Sequence, residues 1–147
     1  MIDNLQLPIL PNTPINYLEI GMYNKENVEL TINTYDLQNS KLYFIDISGI
    51  HQEHQENIII IHGISHIEIP KFSDDFFDVI RINRCKYECV LEDAVLSFRK
   101  LKKGGLMIID DYGWGGIDGF LYGYHNVIYF LGLYNKQIFI EKIGDKN

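Results

Sequence analysis

The sequence predicts an α/β fold: a trimmed, doubly wound and mainly parallel sheet with flanking helices. Three observations lead there. Short Ile-rich runs, nearly continuous in apolarity, recur along the chain, as strands covered on both faces require. Segments with the helical apolar period lie between them. Their alternation implies parallel pairing through right-handed crossovers. At 147 residues the chain is expected to form a single domain, residues 1–147, with residues 1–14 as an N-terminal extension.

Taken in order, the strand candidates are NYLEI from Asn16, KLYFIDI from Lys41, NIIII from Asn57, FDVIRI from Phe77 and LMII from Leu106. A last run, QIFIEKI from Gln137, alternates and suits an edge or late strand. The best helix spans Glu88–Lys102, where Val90, Leu91, Ala94, Val95, Phe98 and Leu101 fall on one face. Acids stand at its start, bases at its end and Gly104 just beyond, matching the macrodipole and the glycine C-cap preference. A weaker helix covers Glu26–Tyr35 through Val28, Ile32 and Tyr35, and an aromatic, apolar one is expected over Phe120–Leu131. Between Asp46 and Asn57, GIHQEHQE leaves room for no more than about two helical turns, the minimum for a crossover. His51 and His54 there read as part of a solvated face, and the late aromatics as core or interface.

Composition narrows the function. A net charge of −7 argues against a nucleic-acid partner, which needs clustered Lys and Arg. No apolar run approaches the roughly 20 residues of a membrane span, and MIDNLQLPILPNTP lacks the pattern of a signal peptide. The expectation is a cytoplasmic protein with no membrane partner, in which Cys85 and Cys89 are reduced, semi-buried thiols. The oligomeric state is left open, a homo-oligomer included.

In such a sheet, ligands bind outside the carboxyl ends of the strands. Those ends read Glu19-Ile20-Gly21, Asp46, His62-Gly63, Asn83-Arg84 and Asp110-Asp111. Acid-x-Gly after the first strand suits close approach of a ligand to backbone. An acid closing the second suits a ribose diol, since a carboxylate can accept from both hydroxyls. In this order the signals point to an adenosine-containing cofactor. The stretch GGLMIIDDYGWGG poses a sharper question, because an apolar strand finishes on two carboxylates. Asp110 and Asp111 can hold a metal, pair with Arg84 or another basic neighbour, or cap the following turn. Asp46 likewise reads either as a ribose ligand or as a loop acid.

FDVIRINRCKYECVLEDAVLSFRKLKKGGLMIIDDYGW resembles the second half of class I S-adenosylmethionine-dependent methyltransferases. It is most similar to the metal-dependent sugar O-methyltransferases of the macrocin type, and YLEIG and YFIDIS resemble that family's first two cofactor motifs. The resemblance runs from Tyr17 to Trp114 and implies a trimmed Rossmann-like fold. It implies S-adenosylmethionine as cofactor, with Glu19 and Gly21 near its methionine part, Asp46 at the ribose and Gly63 beside the adenosine. It also implies Mg²⁺ held by Asp110, Asp111 and the residue at Asn83, with Trp114 stacking on a sugar face. The metal would orient a sugar or polyol hydroxyl for methyl transfer.

The departures fall where chemistry is carried. Asn83 stands for the family's third metal Asp and Arg84 for its Gly, while its His is missing between Cys85 and Tyr87. Met22 follows Gly21 where a glycine pattern is usual, and Ile64 follows Gly63 where an acid is usual. No general base stands out, and Lys86 reads as a solvated helix-start residue. The resulting expectation is an O-methyltransferase acting on a small sugar or polyol with reduced activity; the alternative is a catalytically inactive methyltransferase-like binding or subunit-interaction module.

Overall fold

A computed structural model describes residues 5–48, 55–83, 88–110 and 116–146. Seven strands form one sheet: β1 (Asn16–Gly21), β2 (Lys41–Asp46), β3 (Ile58–His62), β4 (Phe77–Asn83), β5 (Leu101–Asp110), β6 (Ile128–Tyr134) and β7 (Gln137–Lys142). Their order is β3-β2-β1-β4-β5-β7-β6. The first five are mutually parallel, β7 runs antiparallel to β5, and β6 antiparallel to β7. Strands are added outward in one sense from β1 to β3 and in the other from β4 to β5, so a switch point lies between β1 and β4 at the carboxyl edge.

Both faces are covered, which is why the strands are apolar almost throughout. On one face Leu18, Ile20, Ile80, Ile82, Met107 and Ile109 meet Val90, Ala94 and Phe98 of α3 (Glu88–Phe98) and Phe120 of α4 (Asp118–Gly123). On the other, Tyr17, Phe44, Val79, Leu106 and Ile108 meet Val28 and Ile32 of α1 (Lys25–Ile32). Asn24 starts α1 by accepting from the Asn27 amide at 3.0 Å. A short α2 (Ser65–Glu68) follows β3. Leu5, Leu7 and Ile9 of the N-terminal segment pack on the second face. Leu5 lies so close to Gly132 that a Cβ there would meet it at 2.6 Å.

Several boundaries differ from the expectation. The helix predicted to Lys102 stops at Phe98, and Lys102–Gly105 belong to β5. Leu101 is drawn into register with Phe77, and Lys142 Nζ donates to the carbonyls of Phe98 at 2.8 Å and Leu101 at 2.7 Å, closing the helix. Gly104 serves inside the strand, at φ +81°, rather than as a helix cap. Val95, placed in the core by the period, is 39% exposed.

The helix predicted over Phe120–Leu131 divides into α4 and β6. Asn135 and Lys136, both at positive φ, make a two-residue turn that folds β6 back onto β7. The run from Gln137 is the late strand of its two readings and not an edge, since β6 lies outside it. Cys89 is disulfide-bonded, correcting the expectation of a reduced thiol there. Cys85, His51 and His54 lie outside the described residues.

Candidate functional site

The carboxyl edge gathers most of the residues singled out in the sequence. Gly21 is paired with Asn83, Ile82 with Ile109, and Asp46 with His62, so Gly21, Asp46, Gly63, Asn83 and Asp110 all close parallel strands at one edge. Glu19 lies two residue pairs below, directly opposite Arg81 of β4. Asp111, Arg84, Lys86 and Trp114 lie outside the described residues.

Arg81 organises the centre. It is 2% exposed, and its three kinds of donor nitrogen each reach a carboxylate. Nε donates to Asp110 Oδ1 at 3.2 Å, Nη2 to Asp110 Oδ2 at 2.5 Å, and Nη1 to Glu19 Oε1 at 3.3 Å. The bond pair to Asp110 is the fork geometry that suits guanidinium and carboxylate. Gln137 Nε2 adds a bond to Asp110 Oδ1 at 2.9 Å, across the antiparallel β5–β7 pair. The Tyr17 hydroxyl donates to Glu19 Oε1, the oxygen Arg81 also holds.

Burial pushes the Glu19 carboxyl above its ordinary value, against the pull of Arg81 and the Tyr17 bond. Burial, with the Glu19 charge beside it, also raises the Tyr17 phenol. For Arg81 burial alone would lower the pKa, but the bond to Asp110 and the Glu19 charge outweigh it and keep the guanidinium charged. With both acids ionised, the Glu19–Arg81–Asp110 trio would carry one net negative charge. Glu19 Oε2 is buried and has no hydrogen-bond partner among the described residues.

Asp46 is buried at the end of β2. Its Oδ1 accepts from the Ser48 amide at 2.8 Å and hydroxyl at 2.6 Å, and its Oδ2 lies 3.4 Å from the Tyr23 amide. The loop after β1 therefore closes against it. At Gly63 a Cβ would meet Glu68 Cγ at 2.8 Å, so the end of β3 admits no side chain without displacing Glu68.

These groups can be tested against the two ligands the sequence suggested. A bare buried carboxylate oxygen beside a glycine-closed strand end suits the ammonium and adenosine parts of S-adenosylmethionine. A divalent ion does not fit the described donors. Asp110 already carries a guanidinium on both oxygens, and Asn83 is neutral. A dication about 4 Å from that guanidinium would be repelled by about 8 kcal/mol at an effective dielectric of about 20. Among the described residues no group of three His, Cys, Asp or Glu is placed to hold a metal.

Sequence reasoning missed Arg81. Its signal was one charge inside the apolar run FDVIRI, matching the charge inside YLEI. Two such buried positions of opposite sign call for a partner, and each other is the simplest one.

No family model matches the sequence, and no curated protein does. Solved structures do. A MycE methyltransferase from the mycinamycin biosynthetic pathway, determined with Mg and SAH, superposes at TM-score 0.64 and 18% identity, over 90% of this chain and 46% of its own. The O-methyltransferase NovP gives 0.66 at 13% identity over 90% and 74%, and a protein from Corynebacterium glutamicum 0.69 at 14% over 95% and 78%. The chain thus spans about half the length of MycE, 46%. At these identities the likeness establishes the fold, a trimmed Rossmann-like sheet of the class I methyltransferase kind.

Proposed function

We propose that the carboxyl edge between β1 and β4 binds S-adenosylmethionine and that the protein is an O-methyltransferase acting on a sugar or similar polyol, with reduced activity. One observation carries the cofactor reading: Glu19 Oε2 at the switch point is buried and has no hydrogen-bond partner among the described residues. It is an acceptor awaiting a cationic donor, and Gly21 ends the same strand two residues on. In this reading Glu19 accepts from the ligand's ammonium group, Gly21 lets its chain pass close to backbone, and Asp46 turns from Ser48 to the ribose hydroxyls. Gly63 closes β3 at the adenosine end, where its missing side chain makes room for Glu68. Bound S-adenosylmethionine would supply an electrophilic methyl group. The sugar or polyol acceptor rests on the sequence resemblance, and MycE and NovP lend it the fold alone.

S-adenosylhomocysteine titrated into the protein in a calorimeter tests the reading. Saturable binding is expected, weakened roughly tenfold or more in Glu19→Gln, a loss of about 1.4 kcal/mol. Absence of binding by the parent would remove the cofactor reading.

A second reading, the inactive binding or interaction module, is favoured by one feature. Arg81 engages both oxygens of Asp110, an acid the resemblance would make a metal ligand. The two readings part on methyl transfer: S-adenosylhomocysteine binding with no transfer to any polyol in a single-turnover assay selects the module.

A further inference from the structure

The cation at this edge belongs to the chain itself. We propose that Arg81 is the resident cation of the β1–β4–β5 edge, that it excludes a divalent metal, and that ligand binding there is metal-independent. The ligand's identity rests on the function proposed above; the exclusion of metal does not.

Geometry carries the argument. Glu19 sits directly across the parallel β1–β4 pair from Arg81, and Asp110 two residues beyond Arg81's partner Ile108 on β5. A guanidinium between them reaches both acids from one fixed position, with its donors in a plane. An ammonium in its place could not fork onto Asp110 and still reach Glu19.

A magnesium ion requires near-octahedral oxygen ligands at about 2.0–2.1 Å. Here Asp110 Oδ1 already accepts from Arg81 Nε and Gln137 Nε2, and Oδ2 from Arg81 Nη2. At 2% exposure, Arg81 is shut away from the solvent into which an ion would have to push it.

Charge gives the same answer. Two ionised carboxylates and one guanidinium would leave a single negative charge, and Glu19 Oε2, which has no hydrogen-bond partner among the described residues, is the acceptor left over. One organic ammonium group would neutralise it; a dication would leave the trio positive in a buried setting. Arg81 is therefore a positioning residue. Held between the two acids, it decides which kind of cation the site can accept. A ligand's hydroxyls then dock here without chelation, so acceptor choice is set by shape and hydrogen bonding.

The test is a set of titrations on the whole chain. Parent protein titrated with MgCl₂ alone should show no saturable binding, and its affinity for S-adenosylhomocysteine should be equal in EDTA and in excess Mg²⁺. Arg81→Met opens Asp110 but leaves two buried acids uncompensated, so Arg81→Met/Glu19→Gln is made alongside it to remove one of them. Whichever variant folds should gain saturable Mg²⁺ binding where the parent shows none. A role confined to stability would lower the melting temperature without that gain.

Saturable Mg²⁺ binding by the parent, S-adenosylhomocysteine binding that depends on Mg²⁺, or folded variants with no gain would each overturn the proposal. If neither variant folds, the parent titrations decide alone. Failure of S-adenosylhomocysteine to bind under any condition, with the Mg²⁺ results as expected, would sink the methyltransferase reading and leave Arg81 in its assigned role.

Discussion

Tyr17, Glu19 and Arg81 lie together on one sheet face, and their neighbour Tyr35 shows the opposite way of burying a polar group. The Tyr35 ring is buried, its hydroxyl has no partner among the described residues, and burial, with the charge of Asp78, pushes its pKa up to about 12. A phenol that keeps its proton longer folded than unfolded stabilises the protein fully below the unfolded value of 10.0. That contribution disappears as pH rises through about 12. Tyr35→Phe should be neutral to about 1 kcal/mol more stable at pH 7, because it deletes an unmade bond. It should also show a shallower alkaline loss of stability in urea titrations between pH 9 and 12. A clearly destabilised variant would mean the hydroxyl has a partner. At this scale the strand-end acids were legible, because Glu19, Asp46 and Asp110 each close or nearly close an apolar run. Their pairing was not. Which acid meets which base depends on strand order, and nothing local in FDVIRI says that β1 lies beside it.

Among the elements, α3 and β7 depend on one another through Lys142. The residue is 2% exposed, and its ammonium donates to the carbonyls of Phe98, the last residue of α3, and Leu101, the first of β5, and sits 4.6 Å from the centre of the Phe98 ring. Asp145 at 3.5 Å and Asp75 at 3.8 Å balance its charge. A cation at a helix C-terminus is favoured by the macrodipole and by the otherwise unpaired carbonyls. Lys142→Met keeps the aliphatic stem but loses these bonds, and should cost about 2–4 kcal/mol in urea unfolding. Lys103→Ala, on the exposed side of β5, should fall within about 0.5 kcal/mol of the parent. Equal effects would mean that Lys142 does not close the helix. The same contact explains a misjudged boundary. Lys-Lys-Gly-Gly looks like a helix end in sequence, and a distant lysine moves the end to Phe98. The segment Phe120–Leu131 misled for a different reason, since a short apolar run fits helix and strand equally until a turn such as Asn135-Lys136 pairs it.

Across the whole molecule, the alternation of strands and helices made the five parallel strands readable, whereas the order of all seven lies in long-range pairing. The centre of the sheet, β1, β4 and β5, is flanked on both sides, while β3 and β6 each have one neighbour. Hydrogen exchange followed by mass spectrometry should find the slowest amides in β1, β4 and β5, near the global opening free energy. The β3 and β6 amides should exchange through smaller openings. Uniform protection would contradict the arrangement, as would a β6 slower than β4.

The ion cluster also sets an order of events at the ribosome. Glu19 is made first and waits 62 residues for Arg81; Arg81 then waits 29 residues for Asp110, and Asp110 another 27 for Gln137. Until β4 emerges, β1 carries an acid that cannot be buried without protonation, so the nascent chain has reason to leave that strand wet. A strand beside the middle of the finished sheet is thus among the last to be sealed, and a chain released early displays an uncompensated charge where a complete one holds an ion pair. Quality-control proteases that sample open chains would find the difference at β1.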